Sequence, residues 1–329
     1  MNRLVYLVVR GLVRIVQALP LVWVARLGRS GGAAAWWLDA RHRRVARRNL
    51  RLVFGQEKSD AEIRALAREN FRRIGENFAC AVKTAAMTLD QIRPHVEFAL
   101  PPLLRGAPGQ RPTRIVAAIG HFGNFELYAR FGQFVPGYKS GTTYRGLRPP
   151  GLDRVLQGLR ERSGCQFFER RFDAAALKAF MNGDGVILGL LADQHAGDRG
   201  LHLPFLGYDC STSAAPALFA LRYDCVLMTG ICYRVGLARW RIEGGAEIPT
   251  RLNGQARSTR DIMLDVNRAF EAAVRRDPAN WFWVHNRWKH SKGACPTPTL
   301  AAPQAHLLNT SAVPGAGEVT SQSLRNGRT

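Results

Sequence analysis

The sequence predicts an α/β fold: a single mixed, largely parallel sheet flanked by helices, with a membrane-associated helix at the N-terminus. Three observations carry this. From residue 115 onward, short apolar runs of β type alternate with segments of helical spacing, the order that builds a helix-covered sheet. One run, Val186 to Ala192, is apolar throughout between Gly185 and Asp193, as a strand buried on both faces of a parallel sheet requires. Leu4 to Ala25 is strongly aliphatic, interrupted by Arg10 and Arg14. With 329 residues, 46% of them hydrophobic, the chain has room for one large α/β domain or two modest ones.

The N-terminal segment reads as an interfacial helix. At 3.6 residues per turn, Arg3, Arg10, Arg14 and Gln17 fall on one narrow stripe, and the rest of the circumference is Leu, Val, Ile and Tyr. Arginines then sit at headgroup level with aliphatic side chains in the acyl boundary. Pro20 kinks or ends the helix. A secretory signal fits less well, because the arginines interrupt its apolar region and the cleavage pattern is poor. A single span over about residues 4–25, with the arginines snorkelling, is the alternative.

A basic run follows: Arg41, Arg43, Arg44, Arg47, Arg48 and Arg51. Over the whole chain 47 Lys and Arg face 25 Asp and Glu, a net charge of +22. Such a surplus implies an anionic partner: nucleic acid, an anionic membrane surface, or acidic substrates and carriers. The neighbours of the basic run are Val45, Leu50, Leu52 and Val53 rather than base-stacking aromatics, which favours anionic lipid over nucleic acid.

Ser59-Asp60-Ala61-Glu62 is a capping box. The helix behind it carries Ile63, Leu66, Ala67, Phe71, Ile74, Phe78 and Val82 at three- and four-residue spacing, a core stripe. Between Pro101 and Pro112 the chain turns to Pro, Gly and Arg, a surface loop. Ile115 to Ile119 is a strand closed by Gly120, and Leu127, Phe131 and Phe134 mark a helix after it. A loop with Tyr144-Arg145-Gly146-Leu147 and Pro149-Pro150-Gly151 leads to a helix over about 152–162, ended by Ser163-Gly164. After the strand at Val186 comes a polar loop, Asp193 to Gly200, then the apolar Leu203–Gly207. Helix 213–222, strands 225–233 and 238–243, and a helix over about 259–275 complete the pattern. Asn280 to Lys289 is the last ordered segment, with Trp281 and Trp283 as core. The six cysteines form no CxxC pair or compact framework and read as reduced thiols, mostly core, with Cys225 and Cys232 in a buried strand. The division expected is 1–30 anchoring helix, 31–292 main domain and 293–329 disordered tail.

One motif carries chemistry. His121-Phe122-Gly123-Asn124-Phe125-Glu126 joins the tip of a strand to the start of a helix, where open α/β sheets place their sites. Gly120 and Gly123 permit unusual backbone angles and close approach of a ligand. A neutral imidazole held there can take the proton of an alcohol. Glu126 is expected to hold His121 in its productive tautomer, as a triad carboxylate does. Arg145 is the first candidate for an oxyanion partner, the backbone N–H groups of Gly123 or Asn124 the second. Asp193, His195, Asp198 and His202 are too loosely spaced for a metal site and read as loop residues, with Asp193 positioning a loop or an acceptor group.

The segment GHFGNFE resembles the HxxxxD/E motif of the bacterial lipid A late acyltransferases, the lauroyl/myristoyl acyltransferase family. Further segments agree in order over about residues 1–290: the apolar N-terminus, Arg47-Arg48-Asn49-Leu50, Tyr144-Arg145, Ala192-Asp193-Gln194, and Trp281 to His285 followed by Arg287-Trp288-Lys289. Phe125 stands where Trp is common in the family, and Asn286 interrupts an often basic pair. The Pro-Glu-Gly motif of the related glycerophosphate acyltransferases has no counterpart; an Asp-Gln loop stands in its region.

The resemblance implies an acyltransferase-like domain that moves a fatty acyl group from an acyl carrier protein or CoA thioester to a hydroxyl of a lipid A precursor or related glycolipid. It implies a location at the cytoplasmic face of the bacterial inner membrane, with anionic lipid as a further partner and no nucleic acid. It implies catalysis by His121, Glu126 and Arg145, substrate contacts from Asn124, Asp193 and Gln194, and neither metal nor cofactor. Another lipid acceptor (a glycerolipid, an aminolipid or a glycosylated polyketide) is the nearest alternative. A non-enzymatic basic membrane- or nucleic-acid-binding protein is the alternative of another class.

Overall fold

The computed structural model describes residues 3–105, 113–146 and 150–289. The expected tail at 293–329, Cys295 and part of each Pro-rich loop lie outside the described residues.

Four helices lead. α1 (Arg3–Ala18) stops just before Pro20, which has no N–H to continue it and instead precedes α2 (Leu21–Leu38). Asp39 then caps α3 (Ala40–Phe54), its side chain accepting from the His42 N–H. The capping box is present as expected at the start of α4 (Asp60–Ala86). α2 lies directly on α4 because Gly28, Gly32 and Gly75 have no side chains. A Cβ on Gly28 would come within 2.6 Å of the Gly75 carbonyl oxygen, and one on Gly32 within 2.2 Å of that of Phe71. Position 30, where the sequence suggested that the anchoring segment ends, falls inside α2. Among the described residues no helix is long and apolar enough to cross a membrane. Gln17, expected on the polar stripe, turns inward and donates to the Val82 carbonyl.

The chain continues through α5 (Leu89–Ile92), β1 (Val96–Ala99), β2 (Ile115–Ile119), α6 (Phe131–Phe134), β3 (Lys139–Tyr144), α7 (Pro150–Arg160), β4 (Gln166–Glu169), α8 (Ala174–Met181) and β5 (Val186–Leu191). A hairpin of β6 (Leu201–Phe205) and β7 (Tyr208–Thr212) follows, then α9 (Ala215–Tyr223), β8 (Val226–Gly236), β9 (Arg239–Ile248) and α10 (Thr259–Arg276). The central sheet has the order β1-β9-β8-β2-β5-β3-β4, and only the β8–β9 pair is antiparallel. The mixed, mostly parallel sheet predicted from sequence is present, with β2 and β5 at its centre.

The alternation of side chains divides the sheet. Val116, Ala118, Leu188, Leu190 and Leu227 enter the main core with α9, α10 and the buried Trp281 and Trp283. Ile115, Ile187 and Met228 face the other way and pack in a smaller cluster with Leu104. On α4 the expected core stripe holds at Ile63, Ala67 and Phe71 but fails at Phe78, which is 47% exposed. Phe78 instead meets Phe125 and Phe282 edge to face.

The segment after α10 begins with a short 3-10 helix at Pro278–Asn280 and bridges to Phe122 through Trp281, and two buried amides hold it. Asn49 Nδ2 donates to the carbonyls of Trp283 (3.0 Å) and His285 (2.8 Å), and Asn70 Nδ2 to those of Ala279 (3.0 Å) and Trp281 (2.6 Å). The basic helix α3 therefore has an inner, structural face as well as its charged outer one.

Candidate active site

Register places the site. β2 and β5 are adjacent and parallel, with Ile119 opposite Leu191. Two residues beyond each lie His121 and Asp193, so the two leave the sheet side by side. His121 Nδ1 is 2.8 Å from Asp193 Oδ1, and the His121 backbone N–H donates to Oδ2, also at 2.8 Å. Trp281 Nε1 donates to the same Oδ2 at 2.8 Å. Asp193 is 1% exposed, so these contacts use most of what it offers. Burial pushes its carboxyl up. The charge of His121, its hydrogen bonds and that of Trp281 outweigh this and hold Asp193 at about 2.

An ionised carboxylate at Nδ1 requires that nitrogen to carry the proton, which leaves the lone pair on Nε2. Phe125 packs edge-on against the His121 ring at 4.8 Å and Phe282 lies 5.9 Å away, which fixes the ring's plane. Gly123, at φ +51°, turns the loop where a Cβ would lie 2.5 Å from the Cys232 carbonyl oxygen.

Two expectations are corrected here. Glu126 is not the carboxylate that orients His121: it bonds instead to Arg160, Oε1 to Nη2 at 2.7 Å and Oε2 to Nε at 3.1 Å. Glu126 lies in the first turn of a 3-10 helix over Phe125–Arg130, which aims it at α7 rather than back at the imidazole. Arg160 also stacks over Phe167 at 4.8 Å. Asp193, expected to position a loop or an acceptor group, is the carboxylate bonded to His121, and it is not among the residues that line the cavity.

The remaining candidates separate. Arg145 is exposed and Gln194 half-buried, and both line the cavity beside His121. Asn124 is 1% exposed and does not line that cavity; its carbonyl accepts from the Leu127 N–H and the Cys232 thiol. The Gly123 N–H donates to the Asn280 carbonyl at 3.1 Å, so it is not a spare oxyanion donor.

The cavity has a volume of about 590 Å³, within the usual range for small-ligand sites. His121, Glu126, Arg145 and Gln194 stand towards the strand ends. Along one face of the sheet it is lined by Ile119, Ala117, Gly189 and Ile187, with Thr142 and Ser140 of β3 in register beside the last two, and Tyr144 and the Glu126–Arg160 pair also line it.

A second layer was not legible in the sequence. Arg287 is fully buried and donates from Nη1 to the Gln194 carbonyl at 2.8 Å and from Nη2 to Thr212 Oγ1 at 2.8 Å, with Ser211 O as a further partner. The His195 N–H donates to His285 Nε2 at 3.1 Å, which fixes His285 as a neutral ring protonated on Nδ1. Burial lowers His285 to about 4; Asp193 opposes this, while His121 and Arg287 add to it. The loose Asp193–His202 cluster does not assemble: His202 bonds to Asp209, at 3.0 Å.

The family model described as bacterial lipid A biosynthesis acyltransferase matches residues 2–290. No curated protein matches the chain.

Proposed function

The chain belongs to the bacterial lipid A biosynthesis acyltransferase family, and from that premise we propose a membrane-associated O-acyltransferase. It moves a fatty acyl group from an acyl carrier protein or CoA thioester to a hydroxyl of a lipid A precursor or related glycolipid. The observation that carries the reading is a histidine held by a buried carboxylate and lining a cavity that apolar side chains of β2 and β5 also line.

The acyl chain lies in the cavity along the apolar side chains of β2 and β5, with its thioester carbonyl beside His121. The acceptor hydroxyl gives its proton to His121 Nε2 as its oxygen attacks the carbonyl carbon. Asp193 keeps the ring in the required tautomer and stabilises the imidazolium. Arg145 stabilises the oxyanion of the tetrahedral intermediate, a contribution of about 3 kcal/mol for a well-placed donor. Collapse breaks the carbon–sulfur bond, and the leaving thiolate takes the proton from the imidazolium. Glu126, pinned by Arg160, and Gln194 hold the acceptor.

Membrane attachment rests on α1 and α2. Leu7, Val8, Leu12 and Ile15 are exposed beside Arg10 and Arg14, and Trp23 and Trp37 are exposed on α2. That mixture suits the headgroup boundary of an anionic leaflet. Removing residues 1–19 is expected to weaken binding to anionic vesicles and leave the rest folded. A longer cut through position 30 would also sever α2 from α4.

The acceptor is tested by mass spectrometry of lipid A from cells with and without the chain. The expected difference is one acyl group, absent again when the chain carries His121→Ala. Identical lipid A in all three strains sinks the acceptor assignment.

A further inference from the structure

We propose that the turn between β4 and α8, with Phe172 at its tip, is a second contact with an anionic leaflet, one that seats the rim of the cavity on the bilayer. It goes beyond the attachment through α1 and α2, and it rests on the reading above for its premise that the acceptor is a lipid.

The sheet puts this turn at the site. β2, β5, β3 and β4 are parallel neighbours, so all four end at the same edge. His121, Asp193 and Arg145 lie just beyond the first three, and Arg170 just beyond the fourth. Arg170 lines the cavity, and its Nε donates to Thr143 Oγ1 at 3.3 Å. Past it the surface turns apolar. Phe172 is 81% exposed. In α8, Phe180 and Met181 are buried, which leaves Ala175, Ala176 and Ala179 exposed on the opposite side of the helix. Arg170, Arg171 and Lys178 are exposed as well, and among the described residues none of the three pairs with a carboxylate. A phenyl ring and a strip of alanines are best covered by hydrocarbon, and unpaired cations beside them favour anionic headgroups. An acidic carrier protein would answer the cations but not, by charge alone, the ring and the alanines.

The backbone of the turn is fixed on both sides of its tip. The Glu169 N–H donates to Asp173 Oδ2 at 2.7 Å. The Phe172 and Asp173 N–H groups donate back to the Glu169 carbonyl at 3.2 and 3.0 Å. The Glu169 carboxylate accepts from the Arg171 N–H at 2.6 Å and from the Gly146 N–H at 3.3 Å. Phe172 therefore enters a bilayer without the ordering cost that a loose loop would bear. Through Gly146 the turn is also tied to the loop that carries Arg145, so the lipid contact and the cavity rim share one frame.

The test measures binding of the full-length protein to vesicles of phosphatidylethanolamine and phosphatidylglycerol, with the variants Phe172→Ser, Phe172→Leu and Arg171→Glu. Phe172→Ser is expected to lower vesicle affinity by about tenfold, and Phe172→Leu to keep most of it. Arg171→Glu should lower it by about tenfold at low salt, with the loss shrinking as salt rises and vanishing on phosphatidylcholine alone. Transfer to an acceptor held in vesicles should fall in step with binding, while transfer to an acceptor dispersed in detergent holds. If Phe172→Ser does not fold, Arg171→Glu decides alone. Unchanged vesicle affinity in the folded variants overturns the proposal, whatever the transfer rates. Unchanged vesicle affinity with a KM raised for the acyl carrier protein thioester and not for the CoA thioester also overturns it, and assigns the face to the carrier. Weakened vesicle binding by a chain that shows no transfer in any form keeps the contact and removes the acyl-transfer reading instead.

Discussion

Two acidic groups flank the same short loop, and they are held differently. Asp193 is buried, receives bonds from His121 and Trp281, and is fixed by the register of two central strands. Glu126 keeps about a quarter of its side chain exposed, lines the cavity and is held by one arginine from α7. The residue near His121 in sequence is far from it in bonding, and the residue 72 positions away is its partner. A parallel sheet explains why: neighbouring strands arrive from distant parts of the chain, so strand-end partners are set by register and not by spacing along one loop.

The comparison breaks most sharply under His121→Ala and Asp193→Asn. Loss of His121 is expected to cut transfer by about 10²–10⁴, the usual worth of a positioned base. Asp193→Asn should come close to that. The Oδ2 position faces two N–H donors, so the amide oxygen must sit there and the amide NH₂ must face Nδ1. The ring is then forced to protonate on Nε2, and the base is lost with the shape retained. Single-turnover rates with folded variants check both.

Glu126→Gln and Arg160→Ala should have smaller and matching effects, about 10–100-fold, expressed partly in the KM for the acceptor. Because the two side chains act as one unit, the double variant should be little worse than either single variant. Full additivity would separate them.

The two sides also differ in stability. Asp193→Ala leaves buried N–H groups without an acceptor and is expected to cost about 2–4 kcal/mol, whereas Glu126→Ala, at a partly exposed pair, should cost under about 1 kcal/mol. Denaturant titrations measure both.

The smallest effect is a pH signature on the buried side. His285 is neutral in the fold and lowered to about 4, so the unfolded chain binds its proton first as pH falls. Its contribution is whole above about 6.5 and is lost between there and about 4. His285→Gln, which still offers an acceptor to the His195 N–H, should flatten the thermal midpoint over that window.

Much of the fold was legible because its longest elements carry strong signals. The capping box at Ser59, the apolar run at Val186 and the aliphatic strand at Ile115 all appear where their chemistry places them. β3 and β4 were not, because Lys139–Tyr144 and Gln166–Glu169 are short and mix Gly, Thr and Gln with aromatics. The second helix was hidden in the same way: Gly28 and Gly32 weaken a helix read alone and only make sense once α4 lies against them. In the site, His121 and the importance of the Asp193 loop could be read, but their pairing could not, since no local pattern encodes which strands are neighbours. Phe78 shows the converse. Its spacing fits a core stripe, yet the helix carries it past the edge of the core to stand beside Phe125 and Phe282.

The measurement closest to the central claim is the tautomer of His121, read from its ring ¹⁵N shifts near neutral pH. In the wild-type protein and in Glu126→Gln the proton is expected on Nδ1 with the lone pair on Nε2, and in Asp193→Asn the proton is expected on Nε2. A tautomer that changes in Glu126→Gln and holds in Asp193→Asn would contradict the assignment of Asp193 as the residue that orients the base.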